Sequence, residues 1–264
     1  MSAWIVCAGG VVSREALRYW NQRERFIASL VRPLVWLLIF AAGFRAILGV
    51  SIQEPYETYI LYEVYVVPGL CAMVQLFNGM QSSLSMVHDR ESGSMRTLLV
   101  SPFPRWYLLL AKLLASTVIG LFQVYAFLAI AWLYGVQAPT IGYLTVLPAL
   151  VLSGLLLGAI GLLLSSAIKQ LENFAGVMNF VIFPMFFASS ALYPLWRLEE
   201  SSWVLYQVAS LNPFTHCVEL IRFALYLKPE WLSLAVVVGT TIVVMALATW
   251  AYDPSKGLLS RRKK

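Results

Sequence analysis

Few residues of this chain are of types that do chemistry, and fewer are spaced to do it together. His88 and His216 lie far apart, and neither has a second histidine or a carboxylate and cysteine set at metal-ligand spacing. No serine, histidine and aspartate stand out together at a water-facing site. Cys7, Cys71 and Cys217 are odd in number and lack metal spacing, so they read as small hydrophobes. No GxxxxGK[ST] loop occurs to cradle phosphates, and Leu152-Ser153-Gly154, which looks like the start of an ATPase signature, lies inside an apolar run. What remains is charge. Asp89, Arg90, Glu91, Arg96 and Arg105 fall within HDRESGSMRTLLVSPFPRW, from His88 to Trp106, between two long apolar runs. A charge at mid-membrane costs about 2.5 to 3.5 kcal/mol on insertion scales, so this stretch must sit in water. Gly93 breaks the incoming segment, Ser94 caps a new one, Met95 to Val100 reads as a short helix, and Ser101-Pro102-Phe103-Pro104 stops it.

The elements that position this stretch follow from composition. Apolar residues make up 60% of the chain and charged ones 12%, against roughly 25% charged in a soluble domain. The expected fold is an all-α integral membrane protein. It has six transmembrane helices, at about 31–50, 59–87, 107–134, 143–168, 174–195 and 231–252. Ahead of them, residues 1–30 read as an amphipathic helix in the headgroup layer, with Ser13, Arg14, Arg18 and Arg25 on one face and Tyr19, Trp20 and Phe26 on the other. No cleaved leader is expected. A basic tail, 256–264, closes the chain.

The net charge of +6 encodes orientation rather than nucleic-acid binding. Fifteen of the 19 basic residues fall on the side of the N-terminal helix, the His88 loop, Lys169 and the tail. Both termini and the loop are therefore expected in the cytoplasm, in a cell inner membrane. Pro68-Gly69 is expected to bend the second span. Further along it, Gln75, Asn78, Gln81, Ser82 and Ser85 make a polar stripe, which marks a subunit contact or a transport path, with plain helix packing as the other reading. Gly154, Gly158 and Gly161 are small residues that let helices approach closely. Between spans five and six, Trp196 to Glu230 reads as two short re-entrant helices divided at Asn212-Pro213, with Glu219 and Arg222 paired on one face.

Taken in order, these features resemble a permease of the ABC type-2 transporter family, whose members export drugs, polysaccharides, lipids and nodulation factors. The similar pieces are the amphipathic N-terminal helix, Val67-Pro68-Gly69-Leu70, and Asp89-Arg90-Glu91-Ser92-Gly93-Ser94-Met95 with Leu98, Leu99, Ser101 and Pro102. Further on come Leu192-Tyr193-Pro194-Leu195, Leu211-Asn212-Pro213-Phe214-Thr215 and Val218-Glu219-Leu220-Ile221-Arg222. The chain departs from the family pattern at Ser94, Arg96 and Ser190. The resemblance implies that Arg90, Glu91, Gly93, Met95, Leu98 and Pro102 belong to a coupling helix that contacts a separate ATPase subunit. It implies that Asn212, Pro213, Glu219 and Arg222 belong to outer re-entrant helices capping the pathway. Gln75, Asn78, Gln81 and Ser82 are candidates for the pathway or the dimer contact. The implied assembly is two copies of the permease and two of the ATPase in a lipid bilayer, with no cofactor on this chain and ATP and magnesium on the partner. Apolar walls with an uncharged polar stripe fit export of an amphiphilic or hydrophobic compound. The alternative from another class is an ion-coupled secondary transporter, which would place an acidic group at mid-membrane.

Overall fold

A computed structural model describes residues 3–20, 23–44, 49–50, 54–91, 103–168 and 170–251. Among them are ten helices and one two-residue ribbon. The first helix, α1 (Ala3–Trp20), is separate from α2 (Arg23–Phe44), which passes through Pro33. The N-terminal helix is thus shorter than the 1–30 expected, and 23–30 already belong to α2. The ribbon pairs β1 (Gly49–Val50) with β2 (Ile60–Leu61) in antiparallel register, Gly49 opposite Leu61 and Val50 opposite Ile60.

The longest helix is α3 (Tyr62–Glu91), with 30 residues, a length of about 45 Å. It continues unbroken through Pro68. The next, α4 (Arg105–Leu133), starts directly after Pro104, whose backbone is extended, and stops before Gly135, which takes positive φ. Then come α5 (Gly142–Ala167) and α6 (Leu171–Phe187). The expected fifth span ran on to 195, but α6 passes through Pro184 and ends at Phe187. The segment from Trp196 to Glu230 holds three helices rather than two, because extended backbone at Ser202 adds a break to the one at Asn212. They are α7 (Leu195–Ser201), α8 (Trp203–Leu211) and α9 (Pro213–Leu225). Last is α10 (Trp231–Ala251).

Three helical stretches are long and apolar enough to cross a membrane: Trp106–Leu133, Gly142–Ala167 and Trp231–Ala251. Ser29–Ile39 and Leu171–Phe187 are shorter apolar helical stretches. The polar stripe lowers the hydropathy of α3, yet α3 is the most enclosed element. Tyr65, Val66, Leu70, Ala72, Met73, Leu76 and Met80 are fully buried. It packs against α2, α4, α5, α6 and α9. Arg32 of α2 lies over the Phe77 ring of α3, 3.9 Å from its centroid.

Close packing of α3 on α5 depends on facing glycines. A Cβ on Gly79 would stand 2.8 Å from the Gly158 Cα, and one on Gly161 would stand 3.0 Å from the Gly79 carbonyl oxygen. Within a membrane the helices gain nothing from expelling water from apolar surface, so such backbone approach supplies the attraction instead. A Gly79→Ala substitution is predicted to lower stability by about 1 to 3 kcal/mol through overpacking. Gly176→Ala in α6, where a Cβ meets nothing within 4 Å, should be neutral or slightly stabilising. Thermal unfolding of the two variants in the same detergent checks this, and equal shifts would refute the close-approach account.

Candidate functional site

The first candidate site is built around a turn with no helix of its own. After α6 ends, Ser189, Ser190, Ala191 and Leu192 are all at most 1% exposed, so their carbonyls cannot turn to water. Donors from two other helices meet them. On α3, Tyr62 donates to the Leu192 carbonyl at 2.7 Å and Tyr65 to the Ser190 carbonyl at 2.8 Å. One further turn along the same face, Gly69 admits the Ala191 backbone, whose Cα would lie 2.8 Å from an added Cβ. On α9, Arg222 donates to the same Ser190 carbonyl at 2.9 Å.

Asn212 completes the lock. Its amide nitrogen donates to the Met185 and Ala188 carbonyls at 2.7 and 2.6 Å, which the end of α6 leaves without helical donors. Its oxygen accepts from the Phe214 N–H at 3.0 Å, which caps α9 with Pro213 at the first helical position. The sequence-expected pairing of Glu219 with Arg222 is present, three residues apart on α9. Arg222 is 2% exposed, and its guanidinium carbon lies 4.1 Å from the centroid of the Tyr65 ring. Beside them Tyr56 packs edge-on against Tyr226, and burial raises its phenol well above the ordinary value. Asn212, Pro213, Glu219 and Arg222 are therefore brought together at one place.

At the opposite end of α3 the charges form a ring of alternating sign. Arg14 of α1 reaches Glu15 at 3.1 Å and Asp89 of α3 at 3.8 Å. Lys112 of α4 lies 3.9 Å from Glu15 and 3.8 Å from Asp89. Glu15, Asp89 and Lys112 are each at most 8% exposed, so the ring is largely dry. Just beyond it, the Glu91 carboxylate accepts from the Leu171 N–H at 2.9 Å. That serves an orphan donor at the start of α6 and places a negative charge at the positive end of its dipole. Gly93, Met95, Leu98 and Pro102, with the expected Met95 to Val100 helix, lie outside the described residues, as does the side chain of Arg90.

The polar stripe of α3 divides in two. Gln75 is 2% exposed, and its buried amide makes no hydrogen bond. It stands beside Gly154, where an added Cβ would meet its oxygen at 2.9 Å. Asn78 donates to the Ser116 carbonyl of α4 at 2.7 Å and to the Ser116 hydroxyl at 3.3 Å. Gln81 and Ser82 are half-buried and line a cleft shared with α1 and α4. His216 contacts the Ser210 carbonyl at 3.0 Å and the Ser233 hydroxyl at 3.4 Å, a bracing role.

Sequence reasoning missed Tyr62, Tyr65, Glu15 and Lys112. A signal was present for the tyrosines, which with Gly69 recur on one face of α3. Glu15 is the single acidic residue of α1, whereas Lys112 carried no signal beyond its depth inside an apolar run. Arg222→Met is predicted to cost about 3 to 5 kcal/mol, because Glu219 loses its cation and Ser190 a donor. Arg222→Lys should recover only part of this, since a lysine cannot bridge both groups and stack on Tyr65. Asn212→Ala should cost about 2 kcal/mol. Unfolding temperatures in detergent test the order, and a stability-neutral Arg222→Met would remove the lock.

Residues 9–226 match the family model described as ABC-2 type transporter. The ycf38 transport permease of Porphyra purpurea is 26% identical over 84% of this chain and 74% of its own length. YbhR of Escherichia coli K12, named a probable multidrug ABC transporter permease, is 32% identical over 69% of this chain and 49% of its own length. Nodulation protein J of Sinorhizobium fredii is 27% identical over 44% of this chain and 42% of its own. In this family the permease and its ATPase are separate subunits, which accounts for the missing phosphate loop. The match spans both the locked turn after α6 and the charged end of α3, so the chain belongs to the ABC-2 type transporter family, as a multi-pass permease subunit.

Proposed function

We propose that this permease forms the export pathway for an amphiphilic or hydrophobic compound, as one of two copies joined to two copies of the ATPase. The observation that carries the reading is the loop end of α3. Asp89 ties it to α1 and α4, and Glu91 ties it to α6, so any push on residues 92–102 reaches three other helices together. The ATPases, which hold ATP and magnesium, supply the work. Arg90, Glu91, Gly93, Met95, Leu98 and Pro102 serve as the coupling segment, and displacement of α3 selects between two packed arrangements of the spans.

The same reading gives six spans. To the three apolar helices it adds α2, α6 and α3, whose polar residues face protein rather than lipid. Both termini and the coupling segment lie in the cytoplasm, where the basic residues concentrate, and the protein resides in the cell inner membrane. The locked outer helices α7 to α9 cap the far end of the pathway. Gln75, Asn78, Gln81 and Ser82 serve the pathway or the contact between copies. YbhR is named for multidrug transport, which supports an apolar cargo. The family assignment removes the ground for ion-coupled transport, since the energy source of the family is its ATPase.

The chain purified alone is predicted to hydrolyse no ATP, whereas the complex hydrolyses it and moves cargo. Cysteines at Ser94→Cys or Thr97→Cys should cross-link to the ATPase and stay inaccessible to impermeant thiol reagents applied outside intact cells. Labelling from the exterior would overturn the orientation and the coupling mechanism together.

A further inference from the structure

Arg14, Lys112 and Arg222 each face a carboxylate, whereas Arg32 of α2 does not. Among the described residues no carboxylate and no hydrogen-bond acceptor is paired with it. What it meets is the Phe77 ring of α3, 3.9 Å from the guanidinium carbon to the centroid. A ring attracts a cation but carries no net charge, so the positive charge of Arg32 is left without a counter-charge. The side chain is exposed, which leaves its N–H groups open to a ligand.

Depth makes this arrangement costly. The first span was expected to begin at about residue 31, which would leave Arg32 at its edge, but the structure sets it beside the middle of α3 (Tyr62–Glu91). At 1.5 Å per residue, Phe77 stands about 12 Å along α3 from Gly69 and about 18 Å from Asp89. Trp36, one turn further along α2, gives a second ruler, because it packs at 5.8 Å against both Phe186 and Phe187 at the end of α6. A hydrocarbon core is about 30 Å thick, so the guanidinium falls well inside it. Folded onto Phe77, it does not stretch toward either surface. The surroundings are apolar: Val35 and Ile39 share its side of α2 and are exposed. Beyond Trp36, exposed Phe187 and Phe183 continue that surface along α6, stacked with centroids 6.2 Å apart.

An ionisable residue at this depth is functional by default. We propose that Arg32 binds the acidic group of an amphiphilic cargo, a phosphate, sulfonate or carboxylate, while the apolar part of the cargo lies on Val35, Ile39, Phe183 and Phe187. The inference rests on the reading of α3 as a span and of this permease as the export pathway, and it narrows the cargo to acidic amphiphiles. The guanidinium fork matches an oxyanion with two parallel hydrogen bonds, and the low dielectric around it strengthens the pairing. A neutral compound would leave the charge as it stands, and a cationic one would be repelled. A resident lipid keeps its phosphate outside the hydrocarbon core, about 15 Å from the midplane, beyond reach of this side chain. A small inorganic anion would neutralise Arg32 but leave the apolar residues uncovered.

The test uses the complex of permease and ATPase in phosphatidylcholine vesicles. The probes are hexadecyl phosphate and hexadecanol, each with a diazirine on the alkyl chain near the head, and the labelled peptides are mapped by mass spectrometry. Signals are normalised to the peptide containing Ile242, which is exposed on α10. Hexadecyl phosphate should label the peptide containing Val35 about ten-fold more than hexadecanol does. Arg32→Gln should abolish that preference and Arg32→Lys should keep part of it, with Ile242 labelling unchanged in both, which also shows that the variants are folded. The proposal is overturned by equal labelling from the two probes or by a preference that survives Arg32→Gln. It is also overturned by displacement with equimolar inorganic phosphate, which would assign a small ion, or by equal labelling from a dipalmitoyl phosphatidic acid probe, which would assign a resident lipid. Separation of the two permease copies by Arg32→Gln would overturn it in favour of a carboxylate on the second copy. Labelling requires no ATP turnover. A complex that exports but shows no preference refutes this inference alone, and one that shows the preference without exporting refutes the export reading instead.

Discussion

A backbone carbonyl without a helical partner, in a place that water does not reach, must be given a donor by some other part of the chain. The turn from Ala188 to Leu192 imposes that constraint, and this end of the permease is arranged to meet it. Tyr62 and Tyr65 come from α3, Asn212 and Arg222 from the start and body of α9, and Gly69 clears the space that lets the turn come close. Arg222 can be buried only because Glu219, Ser190 and the Tyr65 face together replace its water. The consequence is a rigid joint among α3, α6 and α9, at the end of the molecule away from the charged loop.

The charged end follows the same logic with ion pairs. Two cations and two anions alternate around a ring, so each of the buried charges Glu15, Asp89 and Lys112 has at least one opposite neighbour from another helix. Glu91 continues the pattern by capping α6. As a result α3 is tied to α6 and the turn that follows it at both ends, to α1 at the charged end, and to α4 both there and midway through Asn78 and Ser116. A helix held in this way moves its partners when it moves, which is what a permease driven from outside the membrane requires. Between the two ends, facing glycines on α3 and α5 provide close contact without side-chain bulk.

Much of this was legible in the residues. Low charge content and long apolar runs indicate a multi-pass protein. The charged loop between two apolar runs has to lie in water, and the order of the Asp89, Leu192 and Asn212 motifs resembles one transporter family. Asn212-Pro213 reads as a helix start, and Glu219 and Arg222 as a pair, because capping and i,i+3 pairing are local rules. Less legible were the lengths. The end of α6 at Phe187, the break at Ser202 and the start of α2 at Arg23 depend on packing and hydrogen bonds that hydropathy does not register.

By itself the sequence determined the class of protein, the glycines where helices meet and the local cap and pair around α9, because each follows from composition or from neighbours within one helical turn. Only the tertiary structure decided that Arg222 and Tyr65 share one carbonyl, that Lys112 closes a ring with Glu15 and Asp89, and that the α3 stripe splits into a buried amide and an open cleft. Those partners come from different helices. Which of the available donors meets which acceptor is fixed by how the helices pack, and the hydropathy of a single segment does not contain that information.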